Sequence, residues 1–163
     1  MQKILSLAVF MIVSLFVNAQ KVTVQDLKNS VGSWDGSLTY LDYSSGKPFT
    51  MQANITVSLT PNQKGYIMAF EYPKEPQANS IDTTFVSGQF FGKEKIVELK
   101  NNGNGGYTFV TEIDGEDGND HKKAILRHTY TLLANTFAIK KEVKFKGTNV
   151  WVKRNEYLLN KRE

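Results

Sequence analysis

The sequence predicts a single all-β domain whose strands close into a small antiparallel up-and-down barrel of about eight to ten strands. Three observations carry that prediction. Apolar and polar residues alternate with period two from Asp35 to Leu158. Short turn sequences separate the alternating segments. After Trp34 no stretch of ten or more residues has helical periodicity, so there are no crossover helices and no parallel α/β sheet.

The first element stands apart from that domain. Met1, Gln2 and Lys3 give a short positive start, and Ile4 to Val17 is apolar except for Ser6 and Ser14. Val17-Asn18-Ala19 then places small residues where a signal peptidase cuts, so residues 1–19 are expected to be a signal peptide and 20–163 the mature domain. Fourteen apolar residues fall short of the roughly 17 to 25 that span hydrocarbon, so no stable membrane anchor is expected. The expected location is secreted or periplasmic. With no cysteine, disulfides, zinc-thiolate sites and thiol nucleophiles are all excluded. The core alone must hold the domain together, and a chain of this length buries roughly two-thirds of its unfolded surface.

Thr23-Val24-Gln25-Asp26, preceding Leu27 and Val31, predicts a short capped N-terminal helix that Gly32 ends. The clearest strand is Phe49 to Thr60, where Met51, Ala53, Ile55, Val57 and Leu59 alternate with polar residues. Further strands are expected at 38–43, 65–72, 81–86, 95–100, 107–113, 124–133, 137–145 and 149–158, nine in all. Ser44-Ser45-Gly46, Pro61-Asn62, Asn101 to Gly106, Asp117-Gly118-Asn119 and Lys146-Gly147 supply the turns, and Pro73 to Ser80 a longer loop. Hairpin-linked strands in sequence leave edges that closure removes, whereas a two-sheet sandwich needs longer connections between its sheets.

Gly32-Ser33-Trp34, after a short helix and opening the first strand, resembles the Gly-x-Trp signature of lipocalins and the wider calycin group. The resemblance spans the overall length, the strand meander, the opening motif and the final strand. It implies a structural role for Gly32 and Trp34, with the tryptophan lying across one barrel end beneath a basic residue of the closing strand. In Val150 to Tyr157 the best counterpart is Arg154, with Lys153 second. A Thr-Asp-Tyr triplet and a cysteine pair, both marks of transport lipocalins, are absent. Because some lipocalin-like barrels bind haem through one histidine, the resemblance singles out His128.

Catalytic constellations are sparse. There is no Gly-x-Ser-x-Gly, and the histidines are His121, expected at a solvent-facing turn, and His128, on the apolar face of its strand by parity. The acidic run Asp114 to Asp120 has calcium-type oxygen donors, but it lacks the terminal glutamate of an EF-hand and reads as a hairpin loop. No enzyme activity, metal or cofactor is expected. The net charge of +4 gathers in the C-terminal third, where alternating lysines read as the wet face of a hairpin, not a nucleic-acid site.

Aromatic and aliphatic residues sharing strand faces are the more suggestive set. Met51, Ile55, Val57, Tyr66, Met68, Phe70, Tyr72, Tyr107, Phe109, Leu126, His128, Tyr130, Phe137 and Ile139 could line a cavity for an apolar ligand, or could simply fill the barrel. The expected function is that of an exported, monomeric, lipocalin-like protein binding a small hydrophobic ligand. The alternatives are a surface-acting structural protein or haem binding through His128.

Overall fold

The computed structural model describes residues 21–42 and 44–163; the expected signal peptide lies outside the described residues. Ten strands form one closed barrel: β1 (Gly32–Leu41), β2 (Pro48–Leu59), β3 (Gly65–Glu71), β4 (Ser80–Ser87), β5 (Phe90–Phe91), β6 (Glu94–Gly103), β7 (Gly106–Asp117), β8 (Lys122–Leu132), β9 (Thr136–Phe145) and β10 (Val152–Lys161). Each pairs antiparallel with its sequence neighbours, and β10 returns to β1, with Trp34 opposite Lys161 and Tyr40 opposite Asn155. The barrel is therefore up-and-down and without crossovers, as short turns dictate.

Alternation fixes which side faces in. On β2, Met51, Ala53, Ile55 and Val57 are buried while the residues between them are wet or half-wet. The seam between β1 and β10 is tight: a Cβ on Gly36 would lie 2.0 Å from the Leu158 carbonyl oxygen, so only glycine lets the two strands approach there. Gly32 is required for its backbone conformation, since its φ of +134° suits glycine alone.

The N-terminal segment differs from expectation. Residues 24–27 form a turn and Lys28–Ser30 a single 3-10 turn, with no α-helix. The Thr23–Asp26 pair closes the turn before the 3-10 segment and does not cap that segment: the Thr23 amide donates to the Asp26 carboxylate at 2.8 Å, and the Asp26 amide returns a bond to Thr23 Oγ1 at 3.3 Å. Only five residues separate this box from the first strand, too few to build α-helical turns before Gly32. The segment is nevertheless well anchored. Val22 and Leu27 are buried under the barrel end, the Tyr66 hydroxyl donates to the Val24 carbonyl, and Asn29 Nδ2 donates to the Gly105 carbonyl at 2.9 Å.

One strand escaped the sequence reading. β5 has two residues, Phe90 and Phe91, which pair with Val86 and Ser87 on one side and with Glu94 and Lys95 on the other. Its brevity leaves the β4 edge from Ser80 to Thr84 without a strand partner on that side, because β4 meets β5 only at its last two residues. The barrel wall is thinnest there.

Candidate functional site

The barrel interior divides into a packed half and a hollow half. At the packed end Trp34 is fully buried, and its indole Nε1 donates to the Ser30 carbonyl at 2.7 Å. The Phe137 ring meets it edge-on at 5.6 Å. Ile55, Val57, Tyr66, Phe109, Leu132 and Leu159 complete this core, in which a void of only about 20 Å³ remains, enough for about one water molecule. The basic residue over the Trp34 ring is Lys161, its Nζ 5.6 Å from the ring centre. Arg154 sits seven residues back along β10, on the order of 20 Å away at the strand rise, and cannot reach. The expected stacking thus survives with a different partner.

The hollow half holds a cavity of about 530 Å³, within the range of small-molecule sites. Met68 and Phe70 from β3, Phe91 from β5, Tyr130 from β8, Ile139 from β9 and Tyr157 from β10 supply apolar wall. The aromatic rings brace one another. Phe91 contacts Tyr130 edge-on at 5.1 Å, Phe109 stacks on Tyr130 at 4.6 Å, and Phe70 leans on Tyr157 at 5.6 Å. The Tyr72 and Tyr157 hydroxyls share a hydrogen bond of 2.6 Å. Ser80, Asp82 and Thr84 line the cavity from the thin stretch of β4, so solvent reaches the interior beside that strand.

A polar cluster forms one wall. His128 Nδ1 lies 2.9 Å from Glu94 Oε2, and Thr111 Oγ1 donates to the same oxygen. Thr111 is fully buried and directly opposite His128 across the β7–β8 ladder. Burial opposes the Glu94 charge, but the bonds from His128 and Thr111 and the positive charge of Lys141 outweigh it and hold the carboxyl below its ordinary value. A carboxylate accepts only, so Nδ1 carries the proton when the ring is neutral, leaving Nε2 as the acceptor nitrogen. Further along the interior, Arg154 Nε donates to Asp117 Oδ2 at 2.7 Å, and Lys141 Nζ lies 3.5 Å from Asp117 Oδ1.

Burial also alters the tyrosines. It raises Tyr66 to about 12, with the Asp26 charge adding to the effect. Tyr130 is pushed upward by burial and by the negative charges of Glu94 and Asp82. Tyr157 is raised by burial, by Tyr72 and by Asp82. A phenol raised in the fold favours the native state below pH about 10, and that contribution is lost as pH climbs through the folded value. In an alkaline titration of phenolate absorbance, Tyr66, Tyr130 and Tyr157 are expected to ionise only well above pH 10 and to return to about 10 in urea. Coincident native and denatured curves would contradict this burial.

The expected lining residues separate accordingly. Met68, Phe70, His128 and Tyr130 line the cavity. Ile55, Val57, Tyr66, Phe109 and Phe137 fill the packed end, and Met51 packs in a smaller cluster with Leu38, Ala53 and Tyr72. The Tyr107 hydroxyl donates to Asp26 Oδ1 at 3.2 Å and ties down the N-terminal segment. Leu126 packs over Gly115. His121 is exposed, at the turn before β8. The acidic run is split by strand parity: Asp117 turns inward to Arg154, whereas Glu116 turns out toward His121. Among the described residues no group of three or more His, Asp or Glu side chains is placed to hold a metal.

Sequence reasoning placed Tyr72 and Ile139 in the candidate lining, where they are found, but missed Asp82, Glu94, Thr111, Asn155 and Tyr157. Parity alone could have found Thr111, two residues from Phe109 on one face. It could not have found Asp82. On β4 the polar residues Ser80, Asp82 and Thr84 face in, while Ile81 and Phe85 face out at 71% and 48% exposure, the reverse of what alternation suggests.

No protein-family model matches this chain, and no curated protein matches it. Among solved structures, the crystal structure of Rv2717c from M. tuberculosis is similar, with a TM-score of 0.58 at 11% identity over 86% of this chain and 97% of that one. That likeness is one of fold. The chain is a closed ten-stranded antiparallel β-barrel, with a tryptophan buried at one end under a basic residue of its last strand.

Proposed function

We propose that this is an exported, non-catalytic binding protein that holds a small molecule with an apolar body and a polar group in the hollow half of its barrel. The observation that carries the reading is the contrast within one barrel. One half is packed to a void of about 20 Å³, whereas the other keeps about 530 Å³ beside a fixed polar wall. Interiors normally pack densely, so a lined and solvent-connected space of this size is a feature that the sequence maintains at a cost in stability. Export is supported by the basic start, the apolar run at 4–17 and Val17-Asn18-Ala19.

The test uses secreted protein, whose first residue should be Gln20. N-phenyl-1-naphthylamine, a neutral apolar dye, should bind with one-to-one saturation. Replacing Thr84 or Asn155 by tryptophan fills the cavity and should weaken binding at least tenfold in a folded barrel. Dye uptake that does not saturate, or that ignores both substitutions, would sink the reading.

A second reading has one observation in its favour. With Nδ1 held by Glu94, the His128 ring is oriented by a carboxylate in the manner of a metal-ligating histidine, and Nε2 is the nitrogen left for an axial bond. His128 would then hold haem iron inside the same cavity. A Soret shift on adding hemin, lost in His128→Ala, would select this reading; an unchanged hemin spectrum would eliminate it.

A further inference from the structure

We propose that the ligand of the hollow half is a lipophilic organic cation, an amine or ammonium group on an apolar body, with Asp82 as its counter-charge; this rests on the ligand-binding reading above. Asp82 stands directly opposite Met68 across the β3–β4 ladder, so its carboxylate belongs to the inner face. Among the described residues it has no hydrogen-bond or ion-pair partner. The other interior charges are met. Glu94 is bound by His128 and Thr111, and Asp117 holds Arg154 and Lys141. Asp82 is itself exposed to the solvent that enters beside β4, but its short side chain is held on the ladder facing the cavity. Lys93, also exposed and bordering the cavity, sits on the turn between β5 and β6, where a long flexible stem lets its ammonium stay in water.

The unmatched charge that a strand fixes on the cavity wall is therefore negative, and it stands at the solvent-open side. Around it stand Phe70, Tyr72, Phe91, Tyr130 and Tyr157, whose ring faces attract cations. The Tyr72 and Tyr157 hydroxyls bond to each other, so the pair presents ring surface more than free donors. The upward shift of Tyr130 and Tyr157 has Asp82 among its causes, as expected where the interior potential is negative. A carboxylate-bearing ligand would meet Asp82 as a like charge, whereas a cation would meet both the charge and the rings.

The experiment displaces bound N-phenyl-1-naphthylamine with three molecules of one shape: 3-phenylpropylamine, 3-phenylpropanol and 3-phenylpropanoate. The amine is expected to bind about tenfold tighter than the alcohol, and the acid weakest. In Asp82→Asn the amine should lose about tenfold and the alcohol should be unchanged. The assignment is overturned if the acid matches or beats the amine, or if Asp82→Asn leaves the amine's advantage intact. If the dye itself fails to bind, the ligand-binding reading has failed and the cation assignment falls with it.

Discussion

Trp34→Ala is expected to remove about 3–5 kcal/mol of unfolding free energy, the largest effect of a single substitution at the packed end. The indole is fully buried, so its removal leaves a large void in a core whose residual space is only about 20 Å³. Neighbours on β1, β2 and β9 are fixed by ladder hydrogen bonds and cannot collapse into the space, which keeps the cavity cost near its full value. The Ser30 carbonyl loses its donor at the same time, and with it the tie between the N-terminal segment and the first strand. Trp34→Phe should cost less, because a ring remains against Phe137, but it still leaves that carbonyl unpaired. Lys161→Met should cost no more than about 1 kcal/mol, since the cation over the indole is near solvent. Chemical denaturation followed by far-ultraviolet circular dichroism separates these cases without needing the tryptophan signal. A loss below 1 kcal/mol for Trp34→Ala would mean that this end is not the barrel's anchor.

The architecture was legible because its signal is periodic and repeated. Ten residues of strict alternation on β2 leave one inward face, and short turns on both sides leave one pairing scheme. Details set by register were harder to read. A basic residue over Trp34 could be expected from the family resemblance, but which one depends on the β1–β10 register and on the bulge between Lys153 and Asn155, which shifts parity on the last strand. β5 was invisible because two phenylalanines carry no period. The site was least legible of all. A strand that lines a polar cavity puts its polar residues inside, so alternation around Asp82 reads identically to a strand turned the other way. Glu94 opens a strand and meets His128 from thirty-four positions away, a meeting that only closure of the barrel creates.

The second large effect lies at the other end of the interior, where Asp117→Ala is expected to cost about 3–5 kcal/mol. The Asp117 side chain is 6% exposed and that of Arg154 11%, so their bond at 2.7 Å is made almost entirely out of water. Lys141 approaches the same carboxylate at 3.5 Å, and removing the shared anion leaves two cations facing each other in a poorly solvated space. The arrangement does not imply that the pair itself stabilises the barrel, because its Coulomb gain is offset by desolvation of both ions. The double variant Asp117→Leu with Arg154→Leu should accordingly recover most of the loss, and the coupling between the two sites should exceed 1 kcal/mol in a double-mutant cycle. A control comes from Asp35, which pairs with Arg162 between strand ends through side chains 44% and 50% exposed. Water and salt screen that pair, so Asp35→Ala should have little measurable effect, although the Arg162 Nε bond is as short, at 2.8 Å. Burial and not distance decides the difference between them. If Asp117→Ala proved no more costly than Asp35→Ala, water would have to reach the Arg154 guanidinium freely, and the interior there would be part of the solvent.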